Sequence, residues 1–303
     1  MRTTAVPKRR AGTRRAGDTA FAWGLISPVV LGWIVLVAWP IASAVGYSFQ
    51  EWNLFTGKTS WVGWDNYLRI VQDESAHRVL AATVTFSAGL VILNLSIALG
   101  LAALLNRRFP GRTGFRAVFF SPMVVSLVAW ALVWGMLLRK DGNINAFLEV
   151  FGIAGPNWLR EPFWAMVSVI VVQTIKGVGL NMVLFLAALQ AIPGELKEAA
   201  ALDGAVRRAI FWHIEVPLIA PTVLLASIIT VLGSLQVFAT ISVLTAGGPG
   251  GATDVLAYYI YRQGFERHDL GYASALAMVL FVIVLIITAV QWRLRTKWVH
   301  DEN

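Results

Sequence analysis

Residues 193–217 read PGELKEAAALDGAVRRAIFWHIEVP and lie between two longer apolar runs. Because charged side chains are costly in hydrocarbon, the segment must lie in water or at the membrane surface. Its composition favours helix, since Pro193 suits a helix start and a run of alanines follows an acidic first turn. We predict two short helices with a bend at Gly204, ended by Pro217. The charged residues of the segment are Glu195, Lys197, Glu198, Asp203, Arg207, Arg208 and Glu215.

The composition of the chain is that of an integral membrane protein. Of its 303 residues, 57% are hydrophobic and 14% are charged, whereas soluble domains carry about 25% charged residues. The absence of cysteine excludes disulfides and thiolate chemistry, and the four histidines show no metal-ligand spacing. The positive-inside rule explains the net charge of +8 more simply than a nucleic-acid partner does. Neither a metal site nor a nucleic-acid partner is therefore expected.

Six stretches are apolar and long enough to cross a bilayer, which takes about 20 residues of helix. The predicted fold is therefore an all-α integral membrane protein with six transmembrane helices. A basic tail, 1–18, precedes a membrane domain, 19–297, which contains the 193–217 loop. The predicted spans are about 21–49, 79–105, 115–138, 163–190, 219–245 and 271–292.

The distribution of Lys and Arg predicts the orientation of the chain. Sixteen of the 25 lie in the tail, the 105–118 turn, the 193–217 loop and the C-terminus, while 8 lie in the three alternate loops. Cytoplasmic segments are the more basic ones, so both termini and the 193–217 loop are expected in the cytoplasm. No clear internal repeat is visible, which argues against a secondary transporter built from inverted repeats.

Polar and small side chains recur at helical spacing in the fourth and fifth predicted spans. A lysine at a helix centre costs about 2.5–3.5 kcal/mol on insertion, so Lys176 should face a cavity or a partner and not lipid. This cost favours a solute path for Lys176 and Gln173, whereas path and close helix packing remain equal alternatives for the glycines and Ser234. The candidate path residues are Gln173, Lys176, Gly177, Leu180, Thr230, Gly233, Ser234 and Val237.

No catalytic set can be argued from the sequence. No Ser-His-Asp or paired-carboxylate arrangement is evident, and no G-x-x-x-x-G-K-[ST] phosphate loop is present. The glycine-rich GGPGG at 247–251 lacks the lysine of such a loop. The energy for any active transport must then come from an ion gradient or from a separate subunit. A charged helical loop without chemistry is either a docking element or an interfacial helix on lipid headgroups, and the residues alone leave both open.

The 193–217 loop resembles the EAA loop of permease subunits from bacterial binding-protein-dependent ABC importers. The resemblance rests on the run Glu198 to Ala200, on Gly204, and on Ile214-x-Val216-Pro217, where Val216 replaces the commoner leucine. EAAALDGA, with LTAGGPG and YYIYRQGF further on, is similar to the carbohydrate-uptake subgroup, of the type of the first permease in maltose and glycerol-3-phosphate importers. The resemblance covers roughly 20–297.

The resemblance implies a six-helix permease of the bacterial plasma membrane that pairs with a second, similar permease. It implies two copies of an ABC ATPase, which hold the ATP and Mg, and an extracytoplasmic solute-binding protein. On this view the chain is not an enzyme and binds no cofactor itself. The alternative is a self-contained secondary transporter or channel, which would need intramembrane ion ligands where only Lys176 is visible.

The resemblance also assigns roles to residues. Glu198 becomes the ionic contact with the ATPase, at the head of a coupling helix. The path residues named above align with the sugar contacts of a maltose-type permease, but several differ in type. The expected substrate is therefore a sugar or a related polyol or sugar phosphate. The residues assigned to ATPase coupling are Glu198, Ala199, Ala200, Leu202, Asp203, Gly204, Arg207 and Phe211.

Overall fold

The computed structural model describes residues 12–53, 58–107 and 109–298, with side chains over 21–52, 59–107 and 109–293. Most of the predicted basic tail, 1–11, and the last residues, 299–303, lie outside the described residues. The described chain is helical apart from one antiparallel hairpin. This agrees with the predicted all-α class, with a hairpin that the sequence analysis did not predict.

The first half of the chain consists of α1 Gly12–Trp33, a π-helical turn Ile34–Ala38, α2 Trp39–Ser48, β1 Gln50–Asn53, β2 Lys58–Trp61, α3 Asp65–Gln72, α4 Glu74–Leu105, α5 Arg112–Phe120, a 3₁₀ turn Ser121–Val124, α6 Leu127–Leu137 and α7 Asn143–Glu149. The second half consists of α8 Pro162–Ala191, α9 Gly194–Leu202, α10 Arg207–Ile210, a π-helical turn Phe211–Glu215, α11 Val216–Leu218, α12 Ala220–Leu235, α13 Ala239–Leu244, α14 Leu256–Tyr261, a π-helical turn Arg262–Glu266 and α15 Leu270–Trp298.

Four helices of the described chain are long and apolar enough to cross a membrane. They are Phe21–Ser48, Glu74–Leu105, Pro162–Ala191 and Leu270–Arg293. Two bent pairs raise the number to six if each counts as one span: Arg112–Val124 with Leu127–Leu137, and Arg207–Leu218 with Ala220–Leu235.

The two bent pairs differ from the continuous helices expected near 115–138 and 219–245. In the first pair the helices meet at 103°, and Pro122 in the intervening 3₁₀ turn has no N–H to continue an α-helix. In the second pair the bend is 67°. The predicted fifth span is interrupted again after Leu235, so that α13 is a separate short helix.

The first membrane helix runs straight through both of its prolines. Proline inside a helix usually kinks the helix or marks one of its ends. Instead Pro28 lies inside α1, and Pro40 lies at the second position of α2, where a missing N–H is tolerated. A π-helical turn joins the two helices. The second part of this span, α2, packs against α15.

The core lies between α4 and α8, which form the most extensive helix contact of the structure. Alanines on α4, among them Ala98 and Ala102, face Met182 and Phe185 of α8, and all four are fully buried. Small residues on one helix let large ones on the other fill the gap. Gly179 serves the same purpose on the side of α5, because a side chain there would collide with the backbone carbonyl of Phe119.

Candidate functional site

The first arm of the 193–217 loop is a short helix that ends at a glycine. After α9 the amide of Ala205 donates to the carbonyl of Ala200 (3.0 Å), and the amide of Gly204 donates to that of Ala201 (3.1 Å). These two bonds form a Schellman C-cap, which requires a left-handed residue. Gly204 supplies it with φ +84°. The predicted bend at Gly204 is therefore confirmed, and its cause is helix capping.

The loop presents an apolar tip to the outside. Leu202 at the end of α9 is 89% exposed, and Leu196 and Val206 are also exposed. A monomer gains nothing by exposing such side chains, so the tip is suited to contact with another surface. Of the residues assigned to coupling, Ala200 and Phe211 are half-buried. The others are exposed: Glu198, Ala199, Leu202, Asp203, Gly204 and Arg207.

A single lysine connects the two arms of the loop to the membrane helices. Lys197 Nζ lies 2.9 Å from the Glu215 carboxylate, and both side chains are mostly buried. The same Nζ donates to the carbonyl of Leu189 in the last turn of α8, at 3.4 Å. Lys197 was not among the predicted coupling residues. Lys197 and Glu215 are 18 positions apart and lie on different helical segments, so helical spacing in the sequence does not reveal the pair.

The second arm of the loop ends next to the start of α12. The expected helix end at Pro217 agrees with the structure within one residue, because α11 ends at Leu218 and the chain bends by 67° before α12. The chain bends only after Leu218, at the buried Ile219, which belongs to the α4–α8 core.

The side chain of Lys176 lies against the irregular backbone between the 3₁₀ turn Ser121–Val124 and α6. Its Nζ donates to the carbonyls of Val125 (2.6 Å) and Pro122 (3.1 Å). These carbonyls lie where the 3₁₀ turn ends and α6 has not yet begun. An unpaired backbone carbonyl is costly in a membrane, and so is an unpaired ammonium group, so the bond to Val125 satisfies both groups. Lys176 was expected to need a partner because of its insertion cost, and that partner is the backbone of the same chain.

Gln173, one turn before Lys176, contacts the short helix α13. Thr240 Oγ1 donates to Gln173 Oε1 at 2.8 Å. One residue earlier on α8, the carbonyl of Val172 accepts from the indole of Trp130 on α6, at 3.1 Å. These two bonds connect α8 to α13 and to α6.

A buried polar cluster lies one turn further along α8, and the sequence analysis missed most of it. Asn181 Nδ2 donates to Asn94 Oδ1 on α4 (2.6 Å) and to Thr230 Oγ1 on α12 (2.9 Å). Asn94 in turn donates to the carbonyl of Thr174 at 3.3 Å. The cluster thus ties three helices together. Thr230 was predicted, but the two asparagines were not, since each stands alone in an apolar run.

Some of the remaining candidate path residues are buried in helix contacts, and others are next to open space. Ser234 and Val237 are buried, and the Ser234 hydroxyl donates to the carbonyl of Val231. A side chain at Gly177 would contact Asn94, whereas one at Gly233 would meet open space. Leu180 is half-buried. Lys176 and Gln173 thus face the irregular segments, while Thr230 joins the asparagine cluster.

The end of the membrane domain opposite the 193–217 loop holds a cavity of about 790 Å³. Lys140 and Arg160 line it together with Arg139, which pairs with Asp141 at 3.1 Å. The glycine-rich 247–251 segment forms another wall. Within the described parts of the chain no three acidic or histidine side chains gather as a metal site requires.

A buried ion pair adjoins this glycine-rich segment. Asp254 is almost fully buried, and its Oδ2 lies 2.5 Å from Arg262 Nη1. Burial raises the pKa of Asp254 to about 6, although Arg262 and Arg267 favour its charged form. Its second carboxylate oxygen has no hydrogen-bond partner in the described structure. The loop between α13 and α14 therefore contains a carboxylate whose pKa burial raises well above its ordinary value.

The sequence is similar to several permease proteins. It is 31% identical over 281 residues to the multiple sugar-binding transport system permease protein MsmF of Streptococcus mutans, covering 91% of this chain and 96% of that protein. It is 33% identical over 279 residues to the sn-glycerol-3-phosphate transport system permease protein UgpA of Rhizobium meliloti, covering 91% and 94%. It is 34% identical over 270 residues to the trehalose/maltose transport system permease protein MalF of Thermococcus litoralis, covering 88% and 90%.

The fold is similar to that of solved transporters. A chain of a bacterial ABC transporter that imports the acidic polysaccharide alginate superposes with a TM-score of 0.81 at 24% identity, covering 94% of this chain and 99% of that one. A chain of an alginate ABC transporter in complex with its pentasaccharide-bound periplasmic protein gives 0.80 at 23% identity, covering 92% and 94%. Residues 95–297 match the family described as binding-protein-dependent transport system inner membrane component. The chain belongs to this family of membrane-embedded ABC transporter permeases.

Proposed function

We propose that this chain is a permease subunit of an ATP-driven importer for a sugar or a related polyol or sugar phosphate. An extracytoplasmic binding protein delivers the solute, and ATP is hydrolysed on separate subunits. The family membership supports the transport role. The names of three relatives, which refer to multiple sugars, glycerol 3-phosphate and trehalose or maltose, support the substrate class.

The geometry of the 193–217 loop carries the proposal. Its Schellman cap fixes the direction of the exposed tip at Leu202, and the Lys197–Glu215 pair ties that tip to the end of α8. A loop held in this way transmits a displacement of its tip to the membrane helices. We propose that an ABC ATPase receives this tip, with Glu198 as the charged contact.

The assembly proposed here contains one further permease and two ATPase copies. We place the 193–217 loop and both termini in the cytoplasm, where the basic segments favour them. The cavity lined by Lys140 and Arg160 then lies on the outer side, where the binding protein delivers its solute. Six spans arise if each bent helix pair crosses the membrane once.

The path for the solute runs, in this proposal, between α8 and α12. Lys176 holds the break in the third segment, and the Asn181 cluster holds α4, α8 and α12 together. Both are hydrogen-bonded junctions between helices. Alternating access requires such junctions to exchange partners, because a buried polar group cannot be left unpaired at low cost.

The test is solute-stimulated ATP hydrolysis by the reconstituted complex. The full chain is co-expressed with a second permease and ATPase of the same type, and the complex is placed in liposomes with the binding protein. Glu198→Ala should abolish most of the stimulation while the complex still assembles. Glu195→Ala, which removes an exposed carboxylate from the same helix outside the motif, is the matched control. Solute uptake by the wild-type chain alone, without any ATPase, would overturn the proposal.

A further inference from the structure

A cavity of about 510 Å³ lies beside the coupling loop, where α4 ends. One wall is the last turn of α4 with Gly100, Ala103 and Leu104. The opposite wall is the second arm of the loop, with Arg207, Arg208 and Phe211. The cavity is therefore apolar on one side and basic on the other.

The cavity carries an uncompensated positive charge. Arg107, just after α4, joins Arg207 and Arg208 around it, and all three are exposed. None of them forms an ion pair with another described residue. The carboxylate of Glu215 also lines the cavity but is engaged by Lys197. Three unpaired arginines at one cavity attract an anion, and the only acidic residue that lines the cavity among the described residues, Glu215, is paired with Lys197.

The apolar wall indicates what else the ligand contains. Leu104 is 54% exposed and Ile97, two turns earlier, is 40% exposed. Together with the exposed Gly100 they form an apolar strip on α4 that leads from the cavity toward the middle of the helix. A ligand that fills both parts has a phosphate at one end and a hydrocarbon chain at the other.

We infer that this cavity binds an anionic glycerophospholipid, with its phosphate at Arg107, Arg207 and Arg208 and an acyl chain along α4. Basic pockets at the cytoplasmic ends of membrane helices recognise such headgroups. The inference rests on the orientation proposed above, which places this end of α4 at the inner leaflet. Because Arg207 and Arg208 lie on the second arm of the coupling loop, the bound lipid fixes that arm against α4.

The experiment measures lipid binding and requires neither ATPase nor transport, so it can fail or succeed independently of the proposed function. The full chain is purified in a neutral detergent, and its binding of phosphatidylglycerol is measured by native mass spectrometry. The probes are phosphatidylglycerol, phosphatidylcholine of the same chain length, and glycerophosphoglycerol, the headgroup without acyl chains. Arg207→Gln/Arg208→Gln is compared with Arg112→Gln, which removes an arginine near the start of α5 that does not line the cavity.

The wild-type chain should prefer phosphatidylglycerol to phosphatidylcholine, and the double variant should bind it about 30-fold more weakly, as expected for two juxtamembrane arginines. Arg112→Gln should bind as the wild type does. Equal binding by the double variant, or equal binding of phosphatidylcholine, would overturn the inference. Displacement of the lipid by glycerophosphoglycerol at equal concentration would reassign the cavity to a free phosphate. Loss of the lipid when the complete transporter assembles would show a subunit interface instead. Elution volume and thermal unfolding midpoint confirm that each variant is folded.

Discussion

Lys197 and Glu215 lie on opposite arms of the 193–217 loop, and Lys197 Nζ is 2.9 Å from the Glu215 carboxylate. The pair is mostly buried, and Lys197 also donates to the last turn of α8. Removing one partner leaves a buried charge alone, which costs more than the pair contributes. The contact therefore holds the two arms of the loop together and against the end of α8.

Lys197→Met should uncouple the transporter. The variant keeps the apolar stem of the side chain but loses both contacts, so a displacement of the loop no longer moves α8. We expect at least a tenfold loss of solute-stimulated ATPase activity, with basal activity retained. The exchanged pair Lys197→Glu with Glu215→Lys should recover part of the stimulation. Unchanged solute-stimulated ATPase activity in Lys197→Met would show that the pair has no role in coupling.

The effect of a substitution at Gly204 on coupled ATPase activity should depend on the backbone conformation that the new residue allows, and not on the size of its side chain. A Cβ at Gly204 would meet no atom within 4 Å, so Gly204→Ala costs only the left-handed conformation, about 1–2 kcal/mol. Gly204→Pro also excludes the positive φ and removes the amide that donates to Ala201. Coupled ATPase activity should fall moderately in the first variant and be lost in the second. Equal activity of the two variants would argue against the capping role.

Lys176→Leu should reduce stability as well as uptake. From the sequence alone, uptake is the only expected effect, but the contacts with Pro122 and Val125 add a folding penalty. The carbonyl of Val125 loses its donor, while that of Pro122 keeps the amide of Val125, so we expect about 1–3 kcal/mol in the free energy of unfolding. Unfolding in mixed micelles of increasing SDS fraction measures it. Lys176→Arg keeps the charge and the donors and should lose less than half as much. If Lys176→Leu unfolds at the same SDS fraction as the wild type, the bonds from Lys176 to Pro122 and Val125 do not contribute to stability.

Asn181→Ala should loosen the contact between α4, α8 and α12. Two hydrogen bonds are lost, to Asn94 and to Thr230, and interhelical bonds of this kind contribute about 1–2 kcal/mol in model helices. The same SDS titration measures the loss, with the exposed Ser96→Ala on α4 as the control. In a double-mutant cycle with Asn94→Ala the two losses should not add. Additive losses would mean that the two asparagines act independently.

Stability should depend on pH through Asp254. Its pKa is raised to about 6 in the folded protein from 3.8, so between these values the folded state binds more protons than the unfolded state. The stability of the wild type relative to Asp254→Asn should therefore rise as the pH falls from 7 to 4. The slope is at most about 1.4 kcal/mol per pH unit. Thermal unfolding at several pH values measures it, with the exposed Glu149→Gln as control. A difference that is flat over this range would contradict the raised pKa.

The long membrane helices were predictable because each is a local property of the sequence. Runs of 24 to 32 residues such as α4, α8 and α15 contain enough apolar side chains to be recognised by length alone. The helix–bend–helix at Gly204 was predictable for a similar reason, since glycine is the residue that a left-handed cap requires. In each case the deciding residues are neighbours along the chain.

The irregular parts were not predictable, because their causes lie far apart in the sequence. Lys176 could be recognised as a residue in need of a partner, but the carbonyl of Val125 is 51 positions away. Asn94 and Asn181 are separated by 87 positions. Each asparagine alone looks like an isolated polar residue in an apolar run. Only the packing of α4 against α8 brings the two together.

The position of Lys176 also constrains how the protein is made. Lys176 is synthesised after Pro122 and Val125, and its entry into the bilayer carries a cost that its bonds to their carbonyls offset. We therefore expect the segment that contains Val125 still to be beside the insertion channel when Lys176 arrives. A long insertion in the 139–162 loop would separate these two events in time. Such a chain would expose the lysine to lipid during its synthesis, even though its finished fold could be the same.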